Sequence, residues 1–141
     1  MTLLVDTSVV LKWFHEQGEA EVQEARALLQ AHREGREHLV VLDLAAYELG
    51  NVLLRPLKLP ATVVTQQLRL LLALCGPLVH PRPTWLDAAT QLSEEHALTF
   101  YDASWAAAAQ ALGCPLVSAD RLLLSCGLAI TATEAARALE A

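Results

Sequence analysis

Four acidic residues stand at positions where a carboxylate needs a reason. Asp6 ends the short apolar run Thr2 to Val5, and Asp120 follows the run Pro115 to Ser118 by one Ala step. In an open parallel sheet, the carboxyl ends of the strands are where ligands bind. Glu48 has Leu44, Ala45, Asn51 and Val52 as its helical neighbours. An unpaired carboxylate on such an apolar stripe costs roughly several kcal/mol unless a partner or a cation compensates it. Asp102 shares its helix face with Trp105, Ala106 and Ala109. The plainer readings are that Asp6 and Asp120 cap the helices after them and that Asp102 is a favourable first-turn acid. Asp43 sits where an N-cap belongs and is set aside as one. Two carboxylates at strand ends and two on inward helix faces can converge into one cluster. Like charges raise one another's pKa, so such a cluster is stable mainly with a cation in it. Oxygen donors alone select Mg²⁺ or Mn²⁺. Two such ions ~3.5–4 Å apart clamp the attacking and leaving oxygens of a phosphoryl transfer.

Competing chemistries lack their residues. The six glycines are scattered, and neither GxGxxG nor GxxxxGK[ST] occurs, so no phosphate cradle is present. A haloacid-dehalogenase-like phosphatase needs an Asp two residues after Asp6, where this chain has Ser8. No GxSxG elbow marks a serine hydrolase. His15, His32, His38, His80 and His96 lack metal-ligand spacing, although a metal-free ribonuclease using paired histidines stays open. Cys75, Cys114 and Cys126 are odd in number and far apart, which reads as reduced buried thiols.

The acids need elements to carry them. Short apolar runs at Thr2 to Val5, His38 to Leu42, Leu78-Val79, Pro115 to Ser118 and Leu128 to Thr131 are strand candidates. Between them lie helical patterns. A hydroxyl of Thr7-Ser8 can cap a helix from Val9 to Phe14. A charge-ordered surface helix runs over Glu16 to Arg36, stopped at Gly35, with Val22, Ala25, Leu28, Leu29 and His32 on one face. Further helices are expected over 43–55, from Pro60 to Gly76-Pro77, over 85–97, 101–112 (closed by Gly113), 121–126 and 134–140. Strands alternating with helices, without Asn-Gly or Asp-Gly hairpins, imply a parallel sheet covered on both faces. The helix after Pro60 has one apolar stripe, Val64, Leu68, Leu71 and Cys75, and a second, Val63, Leu70 and Leu74, roughly 120–140° away. The surplus stripe is covered either by a neighbour in the same domain or by a partner, a second copy or another protein.

With 141 residues, 54% of them apolar and 18% charged, the chain is one α/β domain, 1–141, with a substantial core. Twenty-nine leucines and 24 alanines favour helices. Aromatics at 5% are too few for a base-stacking sheet. The longest apolar run, Leu70 to Val79, contains Gly76-Pro77 and falls short of a membrane span of about 20 residues. No basic leader precedes Asp6, so a soluble cytoplasmic protein is expected. The net charge of −6 argues against a broad basic nucleic-acid face. Setting the four site acids aside leaves 12 acids against 10 bases, a remainder of −2.

The motifs resemble a known family. Val5-Asp6-Thr7-Ser8-Val9-Val10 resembles the opening of PIN-domain ribonucleases, in particular VapC-type toxins of toxin–antitoxin pairs. Tyr47-Glu48-Leu49-Gly50-Asn51-Val52-Leu53 is similar to their second motif, and Phe100-Tyr101-Asp102-Ala103-Ser104-Trp105 to their third. Leu116-Val117-Ser118-Ala119-Asp120 is similar to the fourth, with Ser118 where Thr is commoner. The resemblance spans nearly the whole chain. It implies a three-layer α/β/α fold with a five-stranded parallel sheet in the order 3-2-1-4-5. It implies Mg²⁺-dependent endonucleolytic RNA cleavage, with Mn²⁺ as a substitute, by Asp6, Glu48, Asp102 and Asp120. Asp6 and Asp102 are then the foremost metal ligands, with Glu48 and Asp120 acting partly through water. Thr7, Ser8, Asn51 and Ser118 are implied to orient the carboxylates. The implied partners are an RNA substrate, a second copy of the chain, and a VapB-like antitoxin whose tail fills the site. Specificity would lie in groove shape and in scattered arginines such as Arg55, Arg82 and Arg121. Two other classes stay open: a PIN-like binding module without catalysis, and a metal-dependent phosphohydrolase of small esters.

Overall fold

The computed structural model describes residues 1–140. Its centre is β1 (Thr2–Val5), whose last three residues are buried. β1 pairs in parallel with β2 (His38–Val40) on one side and with β3 (Leu116–Val117) on the other. The regular sheet is therefore three strands in the order β2-β1-β3. The expected outer strands shrink to single parallel bridges, Leu42 with Val79 and Val117 with Ile130. Their chain directions and places preserve the expected five-strand order, but five full strands do not form. Val79 lies between Pro77 and Pro81, neither of which has an N–H to extend a ladder. On the other edge, α8 (Ala132–Glu140) begins two residues after Ile130 and ends the extended run.

Among the described residues, seven further helices surround the sheet: α1 (Thr7–Phe14), α2 (Val22–Arg33), α3 (Leu44–Leu54), α4 (Ala61–Cys75), α5 (Pro83–His96), α6 (Phe100–Leu112) and α7 (Arg121–Ser125). One buried cluster runs from Leu3 to Ala135 and takes in all three strands. α6 lies deepest: Ala103 to Ala109 are all buried, because alanines let the helix approach its neighbours on every side. Gly113, at φ +66°, turns the chain out of α6 in the left-handed region where glycine has no Cβ penalty. No helix among the described residues is long and apolar enough to cross a membrane.

Three expected details change. The cap of the first helix is Asp6 rather than Thr7 or Ser8, and the helix starts at Thr7. The acidic stretch before Val22 is not helical. Buried Lys12 draws it inward, its Nζ donating to Glu19 Oε1 at 3.0 Å and to the Ala20 carbonyl at 2.6 Å. Asp43 precedes α3 but makes no capping bond; its carboxylate takes His80 Nδ1 at 2.8 Å instead. On α4, Val64, Leu71 and Cys75 are buried as the first stripe requires, whereas Leu70 is 49% exposed and so is not ordinary core.

Candidate active site

The two strand-end acids are fixed by the backbone. Asp6, 4% exposed, caps α1 by accepting from the Ser8 amide at 3.0 Å. Ser8 Oγ also donates to Asp6 Oδ1, and it accepts the Ala119 amide at 2.8 Å, which ties the end of β1 to the turn after β3. Ser118 Oγ lies 3.4 Å from Ser8 Oγ and accepts the Asp120 amide at 3.0 Å. Asp120 in turn caps α7 through the Leu123 amide at 2.9 Å. Both acids thus do cap the next helix, as the plainer reading expects, and the same bonds hold them at the carboxyl end of the sheet.

The two helix acids come from the other side. Glu48, half-buried on α3, is held at Oε1 by Thr7 Oγ1 at 2.8 Å and by Trp105 Nε1 at 3.0 Å. Its Oε2 receives no hydrogen bond among the described residues. Asp102 sits in the first turn of α6, whose N-cap Thr99 accepts the Asp102 amide at 3.1 Å. Asn51 is exposed and shares a cavity with Glu48 without bonding a site carboxylate. Trp105 is the residue the sequence reading missed. It was visible only as a neighbour of Asp102, yet a lone indole on an alanine-rich helix needs a partner for its N–H when buried.

Burial raises two of the four acids, and charge links three of them. Burial pushes the Asp6 carboxyl up to about 6, while hydrogen bonds from Ser118 and Ser8 and from the Val9 and Ser8 amides hold part of that rise back. Asp102 is raised first by burial and then by the charge of Asp120; the Thr99 hydroxyl opposes this, and Glu48 adds a further rise. Carboxylates from α3, α6 and the β3–α7 turn are therefore close enough to repel. They are not drawn into contact: among the described residues no three such side chains are gathered tightly enough to hold an ion as they stand. In kind and charge the donors fit a hard divalent cation, being all oxygen, crowded and mutually destabilising. The thiols stand apart from this chemistry, unpaired, with burial pushing Cys75 up to about 11.

A parallel sheet between helix layers, with acids placed just beyond the carboxyl ends of β1 and β3, defines an α/β protein whose site lies past those strand ends. The PIN domain family model matches residues 3–125, and the chain belongs to that family. It is 37% identical over 93 residues to Exonuclease VapC9 of Pyrobaculum aerophilum, spanning 64% of this chain and 68% of the relative. Among solved structures it is similar to PAE2754 of the same organism, with a TM-score of 0.71 and 29% identity, over 99% of this chain and 98% of that one. A toxin–antitoxin complex from Klebsiella pneumoniae shares the fold at a TM-score of 0.66 and 18% identity, over 92% of this chain and 97% of that one.

Proposed function

We propose that this chain is a nuclease of a single domain, 1–141, that cleaves RNA endonucleolytically with Mg²⁺ or Mn²⁺ and serves as the toxin of a toxin–antitoxin pair. The observation that carries this reading is the convergence of Asp102, Asp120 and Glu48 from three elements, near enough that their charges add to burial in raising the Asp102 carboxyl. Acids so placed are held against their own repulsion by the fold, and phosphoryl transfer is a chemistry that uses that arrangement. Asp6, Glu48, Asp102 and Asp120 would hold the cation, with Asp6 and Asp102 foremost. When bound, it supplies charge for the phosphate oxygens and lowers the pKa of water. The chain's own residues aim the donors. Ser8 fixes the Asp6 oxygen, Thr7 and Trp105 fix Glu48, and Ser118 sets the turn that presents Asp120. The similarity to a relative named an exonuclease supports nuclease chemistry, and that to a toxin–antitoxin complex supports a protein inhibitor, VapB-like. A homodimer in the cytoplasm completes the proposal, with exposed Leu70 on α4 available to a partner.

The test is a circular single-stranded RNA, which only an endonuclease can open. Cleavage that requires Mg²⁺ or Mn²⁺, stops with chelator and is poorly supported by Ca²⁺ is the expected result. Robust cleavage in excess chelator overturns the metal role and points to histidine chemistry. The ungathered carboxylates favour one second reading, a PIN-like binding module. RNA binding without any metal-dependent cleavage would establish it.

A further inference from the structure

Three of the four acids give one carboxylate oxygen to the chain itself. Asp6 Oδ1 accepts the amide and the hydroxyl of Ser8, and Asp120 Oδ1 accepts the Leu123 amide; each acid thereby caps the helix that follows it. Glu48 caps nothing, yet two elements claim it. Its Oε1 takes Thr7 Oγ1 at 2.8 Å from α1 and Trp105 Nε1 at 3.0 Å from α6. A carboxylate oxygen offers about two lone-pair sites, so Oε1 is filled, whereas Oε2 receives no hydrogen bond among the described residues. The clamp resists release. Trp105 is 1% exposed on the deepest helix, and an indole N–H left there without an acceptor is costly.

We propose that the Thr7–Trp105 clamp leaves Glu48 one oxygen to give a divalent cation, and that this sets the site for Mg²⁺ or Mn²⁺ against Ca²⁺. The proposal rests on the metal-dependent nuclease reading and adds selectivity to the aiming of Glu48. Aiming alone would serve every divalent ion alike. Mg²⁺ holds about six oxygens in a near-ideal octahedron, keeps several waters and uses few carboxylates, and Mn²⁺ takes a similar shell. One oxygen from Glu48 suits such a shell. Ca²⁺ takes roughly six to eight oxygens at longer range and gains from a carboxylate bound through both of its own. To offer both, Glu48 would have to turn Oε1 away from two donors and orphan the Trp105 N–H in the core. That cost falls on Ca²⁺ and not on Mg²⁺. Trp105 acts only through Glu48, which makes it a positioning residue. The plainer alternative is that the bond merely gives a buried indole its acceptor, which would leave the choice of metal unaffected.

The experiment measures binding of the metal alone to the full chain, without RNA. Mn²⁺ is followed by loss of its free-ion paramagnetic resonance signal and Ca²⁺ by calorimetry, in the wild type, Thr7→Val, Thr7→Ser and Trp105→Phe. Thr7→Val and Trp105→Phe should each weaken Mn²⁺ about ten-fold while Ca²⁺ affinity holds or rises, so the preference for Mn²⁺ narrows about ten-fold. Thr7→Ser, which keeps the hydroxyl, should keep the wild-type preference. Thr7 is half-buried, so its two variants decide the matter even if Trp105→Phe fails to fold. A loss of Ca²⁺ affinity as large as that of Mn²⁺, or larger, would show that the clamp only aims Glu48. Unchanged affinities would show that it only satisfies the indole. Either result overturns the proposal, and Mg²⁺-dependent cleavage of RNA by the same wild type leaves the nuclease reading standing. A wild type that binds neither ion and cleaves no RNA overturns both.

Discussion

The acids at the strand ends and the acids on the helices are held by opposite means. Asp6 and Asp120 are each fixed by an amide of the helix they cap, within three residues of chain. Glu48 is held only by side chains 41 and 57 residues away, and Asp102 caps nothing: burial and the charges of Asp120 and Glu48 raise its carboxyl, opposed by the Thr99 hydroxyl. Local fixation makes a strand-end acid part of the fold. Remote fixation leaves a helix acid free to serve the site alone. Substitutions should therefore separate stability from activity differently in the two pairs.

The largest expected effect tests whether the pairs share one function. Asp102→Asn and Asp6→Asn should each reduce metal-dependent RNA cleavage to background while the circular dichroism spectrum stays native. Full cleavage by both would dissolve the common site. Next comes the pH dependence of Asp6. Its folded carboxyl, raised from an ordinary 3.8 to about 6, binds a proton that the unfolded chain has already released between those values. Metal-free protein should therefore lose stability as pH rises from about 4 to 6, by about 3 kcal/mol, and stay level above that. Asp6→Asn should remove most of this slope in chelator-treated denaturation series, the raised carboxyl of Asp102 supplying the remainder. An undiminished slope in Asp6→Asn would place the proton elsewhere.

A third contrast sets Asp120 against Asp102. Asp120→Ala removes a cap and should cost about 1 kcal/mol, whereas Asp120→Asn keeps the cap and loses activity. Asp102→Ala loses no cap and, without metal, should be as stable as the wild type or more so. The smallest effect belongs to the remote holders of Glu48. Thr7→Val should weaken metal-dependent activity about 10-fold, read as a higher Mg²⁺ requirement rather than a lower melting temperature. An unchanged Mg²⁺ requirement would show that Trp105 alone suffices to aim Glu48.

How much of this was legible in the sequence follows the same division. Asp6 and Asp120 can be read from local pattern, because an apolar run followed by an acid is a strand end and a cap at once. Glu48 and Asp102 are legible as misfits on apolar helix faces. Their partners are not, since Thr7 to Glu48 and Trp105 to Glu48 are pairings that only the folded topology creates. The sheet order was legible only through the family resemblance and the strand lengths were not: the prolines around Val79 and the early start of α8 cut both edges to single bridges. Asp43 misled for a simple reason, that a residue in a capping position can find a better partner 37 residues on, in His80.

The pairing of β1 with β3 has a consequence in time. Ser8 meets Ser118 and Ala119 across 110 and 111 residues, so the first strand waits for nearly the last to complete the crevice. A chain emerging from the ribosome presents Asp6 and Glu48 long before it presents Asp120, with Asp102 following in between. Until β3 docks, one wall of the crevice and the hydrogen bond that anchors Ser8 to it are missing. Long-range parallel pairing is slow because the intervening loop must close first. The order of residues along the chain thus delays the candidate site until β3 has been made, and a chain that stops short of β3 carries three of the acids but no assembled site.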